Sequence, residues 1–144
     1  MRERFTPTEW ATLEFLPLWV FTGVAGIDGN IDHDETKALA RELVQAALYA
    51  DPLARQVLTS VSTDLQEKLD AFAADPRSGP TGMQEATAVL DARLSRAEAK
   101  SFKTAMLHLG KIVAEASDGG VEGTERVSDN EKVVLGSLIT ILGL

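Results

Sequence analysis

The chain has 144 residues, a length that fits one domain over residues 1–144 and that buries about 70% of the surface exposed by the unfolded chain. It contains no cysteine and has a formal net charge of −8. These features exclude disulfides and thiolate metal sites, oppose binding to nucleic acid, which depends largely on Lys and Arg, and favour cations or partner proteins with basic surfaces.

The amino-terminal residues predict neither a signal peptide nor a membrane anchor. They are charged and polar where a signal peptide has an apolar run. The longest apolar stretch, residues 15–27, is interrupted by Pro17 and two glycines, and it is shorter than the ~20 residues that span a bilayer. We therefore expect a cytoplasmic protein without a membrane span.

The first predicted helix begins at a capping box. Thr6 can cap the helix, Pro7 suits its first position, and Glu9 can accept a hydrogen bond from the Thr6 amide. Pro17 predicts a kink or a fresh helix start, because proline lacks an amide hydrogen and its ring meets the carbonyl four residues earlier. Residues 17–27 are apolar on most faces, so we expect them at the centre of the domain.

An acidic turn follows this helix and precedes another. Four carboxylates lie within eight positions, namely Asp28, Asp32, Asp34 and Glu35. Asp32 and Glu35 form a second capping box, and Gly29 is a natural residue to end the preceding helix. Asp28 stands at the negative end of that helix, where a carboxylate is disfavoured by about 0.3–1 kcal/mol. A bound cation would explain its position.

The middle of the chain keeps helical spacing throughout. One helix ends before Pro52, and the next could be interrupted around residues 60–63. Residues 75–82 hold two prolines and two glycines, which predicts a linker. A later helix opens with a capping box of Ser95 and Glu98. Because no long segment alternates with period two, the predicted fold is all-α with about seven helices.

A variant of the acidic turn returns near the C-terminus. Asp118 and Gly119 follow another apolar helix, and Ser128 with Glu131 forms a capping box that also encloses Asp129. An aspartate thus stands at the negative end of a helix for a second time, at a matching position. The sequence predicts two pseudo-repeated helix–acid turn–helix units.

Two interpretations of these turns stay open. Helix caps are far commoner than metal sites, and each capping box stabilises its helix by about 1 kcal/mol. A metal site would instead use the carboxylates as ligands, and oxygen ligands alone favour Ca²⁺, Mg²⁺ or Mn²⁺. An EF-hand is excluded, because His33 replaces the glycine of that loop and Leu39 replaces its bidentate glutamate.

Enzymatic activity is not expected from these residues. The chain has no cysteine and no Gly-x-Ser-x-Gly motif, so no activated nucleophile can be assembled from recognisable parts. The histidines, His33 and His108, stand alone in the sequence, without the His-x-x-x-His spacing of zinc enzymes.

A family resemblance rests on both acidic turns. The residues concerned are Val24-Ala25-Gly26-Ile27-Asp28-Gly29-Asn30-Ile31-Asp32-His33-Asp34-Glu35, then Val113-Ala114-Glu115-Ala116-Ser117-Asp118-Gly119-Gly120-Val121 and Ser128-Asp129-Asn130-Glu131. This pattern resembles the TerB-like domains of tellurite-resistance and stress-response proteins, over nearly the whole chain. The resemblance implies an all-α fold with two Ala-x-x-Asp-Gly turns that bind divalent cations. Residues 122–127 of the second copy are additional.

The leading hypothesis is therefore a TerB-like domain that binds or senses a divalent cation between its two acidic turns. The expected oxygen ligands are Asp28, Asp32, Glu35, Asp118, Asp129 and Glu131, with Asp34 more peripheral. The alternative is an acidic helical protein-interaction module, in which the turns only cap helices and the acidic surface meets a basic partner.

Overall fold

The computed structural model describes residues 2–27, 29–117 and 129–144, with the side chains of all of these except residues 117 and 129–131. The described residues form a single 3-10 turn (Arg2–Arg4) and seven α-helices, without any strand. The helices are α1 (Pro7–Ala25), α2 (His33–Leu48), α3 (Pro52–Thr63), α4 (Leu65–Ala74), α5 (Gly79–Arg93), α6 (Arg96–Ser117) and α7 (Asp129–Leu142). The prediction of an all-α fold with about seven helices is confirmed. No helix among these residues is long and apolar enough to cross a membrane.

Local capping chemistry sets where several helices begin. At α1, the Glu9 amide donates to Thr6 Oγ1 (3.1 Å) and the Thr6 amide donates to Glu9 Oε1 (2.8 Å). The same reciprocal pair joins Ser95 and Glu98 at the start of α6. Each box satisfies backbone amides that have no partner within the helix. The capping boxes predicted at these two positions are confirmed.

Helix α1 lies at the centre of the fold. It packs against α3, α4, α5, α6 and α7, and nearly every residue from Trp10 to Val24 is buried. Pro17 lies inside this helix, which continues without a second start, so the predicted fresh start at Pro17 is wrong. Apolar contacts on all sides of α1 compensate for the backbone hydrogen bond that Pro17 removes.

The glycine that ends helix α1 lies three positions before the glycine predicted for that role. The last helical residue of α1 is Ala25, and Gly26 adopts the left-handed conformation (φ 70°) while donating its amide to the Thr22 carbonyl. A left-handed residue at a helix end is favourable for glycine, which has no Cβ. The predicted helix end at Gly29 is therefore wrong, and Gly26 performs that role.

The segment predicted as a linker is half connection and half helix, because residues 75–78 join α4 to α5 and residues 79–82 form the first turn of α5. Helix α5 begins at Gly79, with Ser78 as its cap and Pro80 in its first turn, a position that proline tolerates well. Just before it, the Arg77 guanidinium lies 4.9 Å from the centre of the Trp19 ring. Arg77 also donates to both carboxylate oxygens of Asp75, and these hydrogen bonds lower the pKa of Asp75. The predicted linker is therefore confirmed for residues 75–78, which connect α4 to α5 and are held to the core by Arg77, and it is wrong for residues 79–82, which are helical.

A buried ion pair joins three helices around Glu14. The Glu14 carboxylate, 5% exposed as a residue, accepts from Ser60 Oγ (2.6 Å) and from Lys68 Nζ (3.0 Å). Glu14 belongs to α1, Ser60 to α3 and Lys68 to α4. A carboxylate at this depth is tolerated only because both of its oxygens have a donor.

Replacing Lys68 by Met should destabilise the protein by about 2 kcal/mol, because the buried Glu14 charge then loses its counter-ion. The expected loss is smaller than for a fully buried pair, since the Lys68 side chain is 24% exposed. Urea unfolding measures the change. As a control, Lys37→Met on the exposed face of α2 should change stability by less than about 0.5 kcal/mol. Equal effects of the two substitutions would contradict a role for the pair.

Candidate metal site at one end of the bundle

The first acidic turn leads into α2 through a complete capping box. The Glu35 amide donates to Asp32 Oδ1 (2.8 Å), and the Asp32 amide donates to Glu35 Oε1 (2.9 Å). Asp32 is exposed and Glu35 is half-buried. Each carboxylate uses one oxygen in the box and has a second oxygen outside it. The predicted cap is confirmed. It leaves each of the two carboxylates one oxygen that could bind a metal ion.

Asp34 lies in the first turn of α2 and is exposed. It takes no part in the capping box. Its negative charge is favourable there, since the N-terminal turn of a helix carries a partial positive charge.

Helices α1 and α6 run in the same direction. Near their starts, Arg4 Nη1 lies 2.9 Å from Glu98 Oε2. Further along, a Cβ added at Gly110 of α6 would lie 3.5 Å from Val20 Cγ1 of α1. Because both contacts pair residues at similar distances along the two helices, Ala25 and Ser117 end these helices at the same end of the bundle.

Helix α7 runs against α6. A Cβ at Gly143, just after α7, would lie 3.9 Å from Lys103 Nζ near the start of α6. A Cβ at Gly110, later in α6, would lie 3.1 Å from the side chains of Leu135 and Leu138 of α7. Helix α7 therefore begins at the end of the bundle where α6 ends.

Helix α2 has the same direction as α7. The Tyr49 ring, directly after α2, packs edge-on against His108 of α6 with ring centroids 5.9 Å apart. Tyr49 and Asp51 line one surface pocket together with Lys100, Thr104 and His108 of α6. Helix α2 packs along α6, and only residues 26–32 separate its start from the end of α1, so α2 begins at the end of the bundle where α1 and α6 end.

These directions place the flanking helices of both acidic turns at one end of the bundle. Helices α1 and α6 end there, and α2 and α7 begin there. The two helix C-termini supply partial negative charge and free carbonyl oxygens, while the two N-termini supply amides. The turns are separated by about ninety residues in sequence, so only the tertiary fold brings their helices together.

The structure describes only part of the predicted ligand set. Asp28 and Asp118 lie outside the described residues. Asp129 and Glu131 belong to the first turn of α7, but their side chains are outside the described part. Within residues 2–27, 29–117 and 129–144, no group of three or more His, Asp or Glu residues is arranged to hold a metal ion. A complete ligand set would therefore need the remaining acidic residues of the turns.

Glu42 is a buried carboxylate that the sequence analysis did not single out. It lies on α2 and is 5% exposed, and its Oε1 atom has no hydrogen-bond partner among the described residues. Burial raises the pKa of this carboxyl to about 7, although the nearby charge of Arg41 lowers it. A signal was present in the sequence, because Leu39 and Leu43 mark the inward face of α2 and Glu42 lies between them on that face.

Comparison with known proteins places the chain in a family without assigning a function. No protein-family model matches the sequence, and no solved structure matches it. A protein from Methanothermobacter thermautotrophicus, described as "Uncharacterized protein ORF11'", is 30% identical over 124 residues, covering 82% of this chain and 80% of the relative. The chain belongs to the same family as this archaeal protein.

Proposed function

We propose that the protein binds or senses a divalent cation, Ca²⁺, Mg²⁺ or Mn²⁺. The proposed site is at the end of the bundle where α1 and α6 end and where α2 and α7 begin. In this proposal the protein is a TerB-like domain of a stress-response or tellurite-resistance type system. The observation in its favour is the common direction of α1 with α6 and of α2 with α7. Two turns distant in sequence then have their flanking helices at one end of the fold.

The chemistry of the turns suits a hard cation. The ligands would be Asp28, Asp32, Glu35, Asp118, Asp129 and Glu131, with Asp34 outside the main shell. Such cations prefer carboxylate and carbonyl oxygens. In the capping box, Asp32 and Glu35 each keep one oxygen that the cap does not use. The carboxylates repel one another without a cation, so a cation would be attracted to the cluster as a whole.

A second candidate function has its own observation. The capping box of Asp32 and Glu35 has the same geometry as the box of Thr6 and Glu9 at the other end of α1. Capping alone accounts for the residues of both boxes. In this alternative, the protein is an acidic helical interaction module that binds a partner with a basic surface.

The test replaces glutamate by glutamine, since a capping box accepts either residue at its third helical position. Glu35→Gln and Glu131→Gln should keep the helices capped but lose most of the cation affinity, because a hard-cation site needs carboxylate charge. Calorimetric titration of chelator-treated protein measures the affinity. For the wild type, a hundredfold excess of cation over its dissociation constant should add about 2.7 kcal/mol to the stability.

Glu9→Gln is the matched control. It makes the same change in the box at the start of α1, where Thr6 is the cap, so cation affinity should stay at the wild-type value. If the wild type melts at the same temperature in chelator and in each of the three cations, the cation proposal fails. The interaction-module alternative would then be preferred.

A further inference from the structure

Three large hydrophobic side chains stay exposed at the end of α2. Val44, Leu48 and Tyr49 are 57%, 67% and 76% exposed, and none of them is part of the hydrophobic core. Helix propensity does not favour a valine at position 44 either, because β-branched residues are poorer helix formers than lysine or glutamate. Exposed apolar residues gathered in one place are typical of a contact surface.

Two cations extend this apolar face toward the start of α2. Positions 37, 41, 44 and 48 follow one another at intervals of four, three and four residues, which brings them onto one side of the helix. They hold Lys37, Arg41, Val44 and Leu48, all of which are exposed. The stripe is about 17 Å long, which corresponds to about three helical turns.

Helix α3 forms the second side of a groove along this stripe. Val44 and Leu48 line the groove from α2, and Arg55 and Thr59 line it from α3. The Arg55 guanidinium donates to two carbonyls at the end of α2 and just after it, at 3.1 and 3.2 Å, so its charge stays beside the groove. We call the stripe and this groove the α2–α3 surface.

The exposed charges of the α2–α3 surface are all positive. Between positions 36 and 63, the exposed charged residues are Lys37, Arg41 and Arg55. The two carboxylates of the same segment are less available, since Glu42 is buried and Asp51 accepts from the first turn of α3 as its cap. Lys37 and Arg41 form no ion pair within the described part of the chain. In a chain with a net charge of −8, this surface attracts carboxylates locally.

A groove between two helices suits a third helix as its occupant. Apolar residues three and four positions apart on that helix would pack against Val44 and Leu48. Exposed carboxylates at Asp34 and Asp64 border the α2–α3 surface in sequence. The carboxylates of the occupant are therefore expected nearest Arg41, which stands next to Val44 on the stripe.

A second copy of the chain fits this surface less well. In a symmetric dimer the surface would meet itself, which brings its cations together, and like charges across an interface cost affinity. An anionic membrane also fits less well, because membrane-binding helices present a broad apolar face, whereas Thr59 and Ser62 give this groove hydroxyl groups. The net charge of −8 repels anionic lipid as well.

We propose that the α2–α3 surface is a docking site for an acidic amphipathic helix of a partner protein. The apolar residues of that helix pack on Val44 and Leu48, and its carboxylates pair with Lys37 and Arg41. The assignment follows from the exposed apolar residues at the end of α2 and from the positive charges beside them. It does not depend on cation binding at the acidic turns, and its partner has the opposite charge to that of the interaction-module alternative.

The test selects peptides on the full chain from a displayed library of random helical peptides about 16 residues long. Peptides that also bind a Val44→Ser, Leu48→Ser double variant are removed. This variant keeps the charge of the wild type, so the removal step does not bias the charge of the peptides that remain. These peptides should contain more Asp and Glu than Lys and Arg, with apolar residues three and four positions apart.

Fluorescence polarisation of the selected peptides then tests the charges. Arg41→Glu should weaken binding at least about tenfold, because it sets a carboxylate against the carboxylates of the peptide. Arg96→Glu, which makes the same change at an exposed position at the start of α6, is the matched control and should bind like the wild type. Val133→Ser is the control for the apolar change, since Val133 is 69% exposed on α7, and it should also bind normally.

The proposal is overturned if no peptide distinguishes the wild type from the double variant, or if the peptides that do so are basic. It is also overturned if Arg41→Glu weakens binding no more than Arg96→Glu does. Two further results would assign the surface to another occupant and overturn the proposal. One is a wild-type dimer in size-exclusion chromatography that Leu48→Ser dissociates, and the other is binding to phosphatidylserine vesicles that Leu48→Ser abolishes.

Discussion

Gly82→Ala should destabilise the protein by about 3 kcal/mol, although alanine is the better helix former. Gly82 is the fourth residue of α5. A Cβ at this position would overlap the Trp19 ring. The ring cannot move away easily, because Phe15 and Phe72 pack edge-on against it at centroid distances of 5.7 and 6.0 Å. Arg77 covers it as well. Thermal unfolding should show a melting temperature lower by about 10 °C.

Gly136→Ala is the control for helix propensity. It makes the same change in α7 at a position where a Cβ meets no atom within 4 Å, so it should stabilise the protein by about 0.5–1 kcal/mol. The opposite signs of the two substitutions are the expected result. If Gly82→Ala also stabilises, the close approach of α5 to Trp19 is not a feature of the folded protein.

Helix starts were the part of the fold that sequence predicted best. A capping box consists of residues three positions apart, so Thr6 with Glu9, and Ser95 with Glu98, show their geometry in the sequence itself. The interruption expected around residues 60–63 is also confirmed, since α3 ends at Thr63 and α4 begins at Leu65. These features depend on neighbouring residues and on no distant contact.

The errors arose where a distant residue decides the local structure. Gly82 and the nearby prolines are typical of a linker, but Gly82 is needed because Trp19, over sixty positions away, packs against the helix. Pro17 predicts an interruption by local rules, yet the burial of α1 on all sides keeps it helical. Gly26 and Gly29 both suit a helix end, and the sequence offers no local means to choose between them.

At the candidate site, too, the features set by neighbouring residues could be predicted from sequence, and those set by distant contacts could not. Sequence located the cap of Asp32 and Glu35, because a capping box is a local pattern. It could not give the directions of the helices, which depend on contacts such as Arg4 with Glu98 and Tyr49 with His108. Those contacts place the flanking helices of both turns at one end of the bundle.

Glu42 should make stability fall as the pH rises from about 5 to 8. Burial raises its pKa from 4.5 to about 7 in the folded protein, whereas the unfolded chain keeps an ordinary glutamate pKa. Between these two values the folded state binds more protons than the unfolded state, so the free energy of unfolding decreases with pH. A difference of about 2.5 pKa units corresponds to about 3 kcal/mol.

Glu42→Gln separates this effect from the other ionisable groups. Glutamine has nearly the same shape but does not titrate, so the variant should lose most of the pH dependence and should be about 2–3 kcal/mol more stable than the wild type at pH 8. Urea unfolding in the presence of chelator, at several pH values from 5 to 8, measures both differences. Glu9, Asp75 and Glu98 have lowered pKa values, so their contributions change below this range. Glu67→Gln on the exposed face of α4 should leave the pH dependence at its wild-type slope, and a slope that survives in Glu42→Gln would show that another group causes it.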